Sequence, residues 1–334
     1  MYPEYFPLWL KRLLFGFLSG ISYAKWLVDS INLPLKETDW ELYLDIHLAS
    51  IIRLRRLPNL QNPRGFNDAV KWLMLFGQHR LMPMCVDKIA VREYVAREIG
   101  AEHLIPLKAY GPDWSDVLQA VKSGQGVLKC SHDSGSAFLF DQLPEHTLTQ
   151  LESRFVRLLR REYGVGKGEW YYASVQPQLL VESRLPGSRP GSGPVDVKIH
   201  CVGGLPRLIH IIEGRQSSDP RQAFYLPDGE RVYLKVKRDR EAFEEAEVQT
   251  VLDIVIPLAS ILSKPFRYVR ADFYLVEQRA FFGEMTFHEQ SGLFADRAEE
   301  LDLGRVLSIP CVNPSPSIHS QFPRFDFPDN FHGP

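Results

Sequence analysis

Two segments near the C-terminal end constrain this chain most. They read Tyr268-Val-Arg-Ala-Asp-Phe-Tyr-Leu275 and Phe281-Phe-Gly-Glu-Met-Thr-Phe-His288. Side chains alternate faces along a strand. In the first, Val269, Ala271, Phe273 and Leu275 share one face, and Arg270, Asp272 and Tyr274 the other. In the second, Phe281, Gly283, Met285 and Phe287 share a face, and Phe282, Glu284, Thr286 and His288 the opposite one. A hairpin through Glu277-Gln278-Arg279 sets Asp272 across from Glu284. Adjacent carboxylates repel, so a positive group belongs between them, and a hard divalent cation held by oxygen is one candidate. Arg270 is placed to offset part of the charge or to grip an anion that the metal also holds. The competing reading is a solvated strand face with a surface ion pair.

The 334 residues suffice for a large core and two or three subdomains. A composition that is 45% hydrophobic and 24% charged is that of a soluble globular protein. The net charge of −2 gives no reason to expect a nucleic-acid partner. Cys85, Cys130, Cys201 and Cys311 are far apart and form no C-x-x-C, which fits a reduced, cytoplasmic compartment. The histidines form no H-E-x-x-H, which argues against a zinc enzyme.

Residues 5–31 mix Tyr, Phe, Trp and Leu with Lys11, Arg12 and Lys25. The apolar run Leu13 to Ile21 is too short to span a bilayer. The stretch suits either a helix docked on the domain or an interfacial amphipathic helix at the inner face of the cytoplasmic membrane. Packing is favoured over peripheral membrane contact, and a cleaved signal ranks last.

The first hundred residues read mostly helical. Phe66 to Gln78 is amphipathic, with Asn67 or Asp68 as its cap, and Asp87 caps a helix from Lys88 to Ile99 that Gly100 ends. Ser115–Lys122 and Thr147–Tyr163 are further helices. Gly126–Cys130, Gln178–Glu182, Asp196–Cys201 and Leu208–Ile212 read as strands, the last two joined through Gly203-Gly204. Asp239 caps a long helix to Ser263, kinked at Pro257. The tail from Pro310 reads as irregular. Strands joined as hairpins, with helices between, give an α+β class with antiparallel sheet. A Rossmann fold is disfavoured, because no G-x-G-x-x-G follows a strand.

Three further features carry chemistry. Lys129 ends a strand and precedes Ser131-His-Asp-Ser-Gly-Ser136, a small-residue loop whose N–H groups and hydroxyls can hold a polyphosphate. An ordinary turn is the alternative. Gly164-Val-Gly-Lys-Gly168 lacks the spacing of a P-loop and reads as a mobile loop. Leu179-Leu-Val-Glu-Ser183 runs from strand to loop and offers backbone groups to an adenine edge, although a core strand ending at the surface is the simpler reading. Lys198 beside Asp196 is a second phosphate contact or a surface ion pair of little worth.

The order of these sites resembles the ATP-grasp superfamily. Asn62-Pro-Arg-Gly-Phe-Asn67, Lys71-Trp72 and Asp87-Lys-Ile-Ala-Val-Arg-Glu-Tyr-Val95 are similar to the opening of the TupA-like ATP-grasp family, bacterial proteins of polysaccharide biosynthesis. The similarity runs on through Leu104-Ile-Pro-Leu107, Val127 to Ser136, Val181-Glu182, Asp196-Val-Lys198, Val269 to Tyr274, Gly283 to Phe287, Ser291-Gly292 and Asp302-Leu-Gly304. The resemblance implies two α+β subdomains enclosing a nucleotide cleft within residues 55–310, behind a helical extension at 1–54 and before a tail at 311–334. Within it, 55–125 is an N-terminal helical part, 126–185 a flexible-loop subdomain and 186–310 a metal-binding subdomain. It implies ATP and Mg²⁺. Lys88, Lys129 and Lys198 would touch phosphates under a cover of Ser134, Gly135 and Ser136. Glu182 and the backbone at Ser183 to Leu185 would hold adenine, and Asp196 would reach ribose. Asp272 and Glu284 would carry the metal, with Thr286 where many relatives have Asn. Arg270 would meet the reacting carboxylate, with Lys129 as the other catalytic group, and His288 would be structural.

The leading expectation is therefore a ligase that joins a carboxylate to an amine through an acyl phosphate. In the family setting the carboxylate is a uronic acid of a surface or capsular polysaccharide and the amine an amino acid. The alternatives are a glycosyltransferase-like enzyme using a nucleotide sugar, and a non-catalytic scaffold of a polysaccharide assembly complex.

Overall fold

A computed structural model describes residues 8–19, 40–164, 168–187, 193–215, 220–234, 243–294 and 297–311. The expected cap Asp239, Lys25, the centre of the 164–168 loop and the tail beyond Cys311 lie outside these residues.

Helices come first, as the sequence suggests: α1 (Leu8–Ser19), α2 (Trp40–Leu54), α3 (Phe66–Phe76), α4 (Met82–Val86) and α5 (Val91–Ile99). A smaller sheet follows, built from β1 (Leu107–Gly111), β2 (Gly126–Cys130), β3 (Phe138–Phe140) and β4 (Leu179–Glu182), with α6 (Trp114–Lys122) and α7 (Glu145–Leu159) packed against it. Its order is β1-β4-β2-β3. Strand β1 and helix α6 thus join the flexible-loop lobe, which begins earlier than residue 126. A larger sheet takes β5 (Val195–Val202), β6 (Leu205–Glu213), β7 (Arg221–Tyr225), β8 (Arg231–Val232), β9 (Tyr268–Val276) and β10 (Arg279–Thr286), in the order β10-β9-β5-β6-β7-β8. All of these pairings are antiparallel. Helices α8 (Glu245–Ser263) and α9 (Arg297–Leu307) complete the order.

One face of the larger sheet is wholly apolar. Val197, Ile199, Ile209, Ile211, Val269, Ala271 and Phe273 pack there against Val251, Val255 and Ala259 of α8 and Val95 of α5. Helix α8 runs through Pro257 without a break and starts at Glu245 behind a Glu244/Glu247 capping box. It is long and apolar enough to cross a membrane, yet its Val248–Leu262 stripe is buried on the sheet. On the opposite face, Phe66 of α3 packs on Tyr268 and Phe294, and Leu303 and Leu307 of α9 join a cluster with Val202, Leu208 and Phe224.

Helix α3 is capped differently from expectation. Its N-cap is Gly65, and the distant Glu300 carboxylate accepts the Asn67 N–H at 3.1 Å. The Asn67 amide instead clamps the backbone of Phe294, donating at 2.9 Å and accepting at 2.9 Å. Asp68 accepts from Arg56 at 2.7 Å. The helix expected from Lys88 starts at Val91 with Ala90 as its N-cap, and Asp87 accepts from the N–H groups of Ile89 and Ala90 in the turn before it.

Candidate functional site

The same face of the larger sheet, opposite α8, carries a row of polar side chains. Pairing places Glu284 opposite Asp272, Asp272 opposite Lys198, and Lys198 opposite His210. Asp272 and Glu284 therefore share one face, as the alternation predicts, but the route differs. The turn between β9 and β10 has two residues, because Val276 already pairs with Arg279. That register alone would set Asp272 against Gly283. A bulge between Phe282 and Glu284 slips the ladder by one residue and brings Glu284 across. The slip also moves Phe282 to the apolar face with Met285 and Phe287, not the polar face assigned by simple alternation. Gly283 fits the bulge because a Cβ there would meet the Asp272 carbonyl oxygen at 3.0 Å.

Arg270 organises this face. Its Nε and Nη2 donate to the two Asp272 oxygens at 2.7 Å each, and its Nη1 donates to Glu289 at 2.6 Å. Nη2 also reaches Glu284 at 3.3 Å and the Thr286 hydroxyl at 3.2 Å. The guanidinium is thus spent on three protein carboxylates and does not face open space for a substrate carboxylate. Lys198 donates to Asp272 at 2.6 Å and lies 3.1 Å from Asp196, which Arg215 meets at 2.8 Å. These contacts are buried, so the solvated-face and surface-pair readings do not apply. Burial would raise the Asp272 carboxyl, but Arg270 and Lys198 outweigh it and hold it at about 2. Burial likewise works against the charge on Lys198, and Asp272 overcomes it. Glu289 follows the same logic, held below the usual range by Arg270 in spite of burial. Glu284 is the open member of the group, with 44% of its side chain exposed.

The smaller sheet forms the opposite wall. Lys129 is held at 2.6 Å by Glu182, which Arg92 approaches at 3.4 Å. Glu182 is thereby tied to two cations, and the Ser183 N–H is taken by the Pro106 carbonyl at 2.9 Å. Leu185 lies just beyond, half-buried. Lys88 donates to the Asp133 carbonyl and sits 3.8 Å from the Asp133 carboxylate. Burial lowers its pKa, with Asp133 opposing and Lys129 adding to the effect. In the loop, Ser136 is a structural clip. Its hydroxyl accepts from the Cys130 N–H at 2.9 Å and donates to Asp133 at 2.5 Å. Ser134 and Gly135 are exposed at the tip, and Gly135 adopts φ +91° with nothing near its Cα side. A small cavity lined by Lys88, Tyr172, Gly283 and Glu284 brings Lys88 to the β10 side of the site.

Sequence reasoning missed Glu289, Arg92 and Asp133 as partners within the site. Glu289 follows the strand, where alternation has ended. A left-handed turn delivers it, with φ of 46° at Gln290 and 52° at Ser291. Such backbone persists only where neighbours fix it. The neighbours come from α3: the Asn67 clamp on Phe294 and the Lys71 ammonium on the Gly292 carbonyl. Lys71 is 1% exposed, and burial depresses its pKa to about 7. Above that pH the folded chain carries a neutral amine, while the unfolded chain stays protonated to about 10.4. The unfolded state then binds more protons, so stability rises with pH. Wild type should gain about 2–3 kcal/mol over Lys71→Met between pH 7 and 9, at roughly 1.36 kcal/mol per unit. Urea denaturation at several pH values reads this, and parallel pH curves would refute it.

Asp272, Glu284 and Thr286 offer only oxygen. Among the described residues, no group of three or more His, Cys, Asp and Glu stands ready for a metal. Two carboxylates and a hydroxyl fit Mg²⁺, which keeps several waters and shares substrate phosphates, better than they fit a caged ion. His288, buried on Tyr171 with ring centroids 5.3 Å apart, faces core side chains, as its structural assignment requires.

Two antiparallel lobes, one bearing lysines and a glycine–serine tip and the other a carboxylate hairpin, define an ATP-grasp protein. The TupA-like ATPgrasp family model matches residues 68–308, and the chain belongs to that family. Among solved structures it is similar to the L-amino acid ligase from Bacillus licheniformis, at 13% identity, covering 82% of this chain and 63% of that one, with TM-score 0.44. It is also similar to the D-alanine–D-alanine ligase from Bacillus anthracis complexed with ATP, at 12% identity, 74% and 69% coverage and TM-score 0.37. A third is the ATP-grasp ligase PsnB complexed with minimal precursor, at 13% identity and TM-score 0.33, where 69% of this chain spans 61% of that one. No curated protein matches the sequence.

Proposed function

We propose that this protein is an ATP-dependent carboxylate–amine ligase. The observation that carries the reading is the row Glu284–Asp272–Lys198 on one face of the larger sheet, with Glu284 and Lys88 lining one cavity and Lys129 near enough to act on the charge of Lys88. ATP phosphates lie between the lysines and the acidic hairpin. Asp272, Glu284 and Thr286 would hold Mg²⁺, which would neutralise charge on the phosphate oxygens. The substrate carboxylate attacks the γ-phosphorus, the bond to ADP breaks, and an acyl phosphate forms. The amine then attacks the acyl carbon, loses a proton, and phosphate leaves. Lys198 and Lys88 stabilise the negative charge during transfer, while Arg270 keeps Asp272 ionised and correctly turned. The Ser134-Gly135 tip closes to exclude water that would hydrolyse the intermediate. Glu182, through Lys129, and the segment at Ser183 and Leu185 border the nucleotide, and Asp196 fixes Lys198.

The finer reading goes beyond the family match. The carboxylate belongs to a uronic acid of a surface polysaccharide and the amine to an amino acid. Uronic acids and amino acids screened in pairs, with ADP release and product mass measured, test it. ADP release that needs both partners, with a product lighter than their sum by one water, supports the ligase. Sugar transfer without ATP would replace it. Lys129→Ala is expected to weaken ATP binding at least about tenfold, read by calorimetry; unchanged affinity would remove Lys129 from the phosphate site.

A further inference from the structure

Helix α1 packs inside out. Its Lys11 is 1% exposed and points inward, 2.9 Å from both Glu41 and Asp45 of α2. Phe15 is fully buried beside it, edge-on to His47 at 6.1 Å. The outward face carries Trp9, Leu13 and Phe17 at i, i+4 and i+8, which are 62%, 63% and 86% exposed. Gly16 leaves a shallow notch among them, and Arg12 edges it. The ion pairs pin the orientation. Rolling the stripe inward would expose an apolar face in exchange for the Lys11 cluster and would leave Glu41 and Asp45 without their cation.

An isolated exposed Leu needs no explanation, but a contiguous Trp–Leu–Phe ridge does. Helix α1 has no acidic residue, so nothing on it repels an anionic surface. Trp and Phe beside Leu, with a basic flank, are the side chains that settle at a lipid headgroup boundary. The ridge spans about 12 Å along one helix, from the rise per residue. We infer that α1 is a peripheral anchor, whose Trp9, Leu13 and Phe17 enter a lipid bilayer surface while Lys11 and Phe15 bind it to the domain. In this proposal, docking and membrane contact fall to opposite faces of the same helix.

The inference does not depend on the ligase reading. The full-length chain is sedimented with vesicles of phosphatidylglycerol and phosphatidylcholine and compared with W9S/L13S/F17S. Brominated lipid is then used to quench tryptophan fluorescence, and W9F isolates the contribution of Trp9 among the six tryptophans. Wild type should partition to the vesicles at least about tenfold more than the triple variant, with quenching lost in W9F and ATP affinity unchanged in both. Equal partitioning, or wild type left in the supernatant, overturns it. So does a dimer in light scattering that the triple variant converts to monomer, because a second copy would then cover the ridge.

Discussion

Arg270→Met is expected to cost about 3–5 kcal/mol of stability, the range for removing one partner of a buried charge network. Asp272 and Glu289 are both buried or nearly so, and Arg270 is the cation they share. Without it, Lys198 still serves Asp272. Glu289 keeps only the Tyr268 hydroxyl at 3.4 Å and His200 at 3.7 Å, an imidazole that burial holds neutral. Adding Glu289→Gln to the variant should recover a large part of the loss, because the uncompensated charge is then gone. Denaturant unfolding of the two variants reads this. A double variant no more stable than the single would mean that lost packing, not charge, is responsible.

Glu284→Gln is expected to lower Mg²⁺-dependent turnover at least about a hundredfold, or roughly 3 kcal/mol of transition-state stabilisation, with the fold intact. Glu284 is the most open of the three carboxylates around Arg270, and its amide replacement keeps the shape. The variant should show the wild-type unfolding curve and a raised Mg²⁺ requirement. Undiminished turnover would count against the carboxylate pair as the metal site.

The features legible in the sequence are those with a short period. Alternation identified β9 and its two faces, glycine pairs located the β5–β6 turn, and the antiparallel class followed from hairpins. Position in the chain, through the family resemblance, singled out Lys88 and Glu284, which line one cavity, and Lys198 and Asp272, which pair with each other. The illegible part depends on contacts across long sequence distance. Glu300 capping α3 spans 233 residues, and Lys129 meets Glu182 only because β2 and β4 are neighbours. Nothing local in Asn67 or Lys71 says that they brace a turn beyond residue 288. A bulge is invisible to a rule of twos, which is why Phe282 was assigned to the wrong face. Lys11 shows the same limit, since a charged residue in an apolar helix is placed outside by default and here lies inside.

The bulge at Gly283 has a consequence for how this hairpin can vary. Gly283 is the residue of β10 that the ladder leaves unpaired, between Phe282 opposite Phe273 and Glu284 opposite Asp272. Deleting it would close the ladder on the same partners, because the two-residue turn already points position 283 at Asp272. A residue added after Gln278 would be absorbed by the turn, outside the ladder. A second deletion in β10 would find no such slack and would turn Glu284 to the other face.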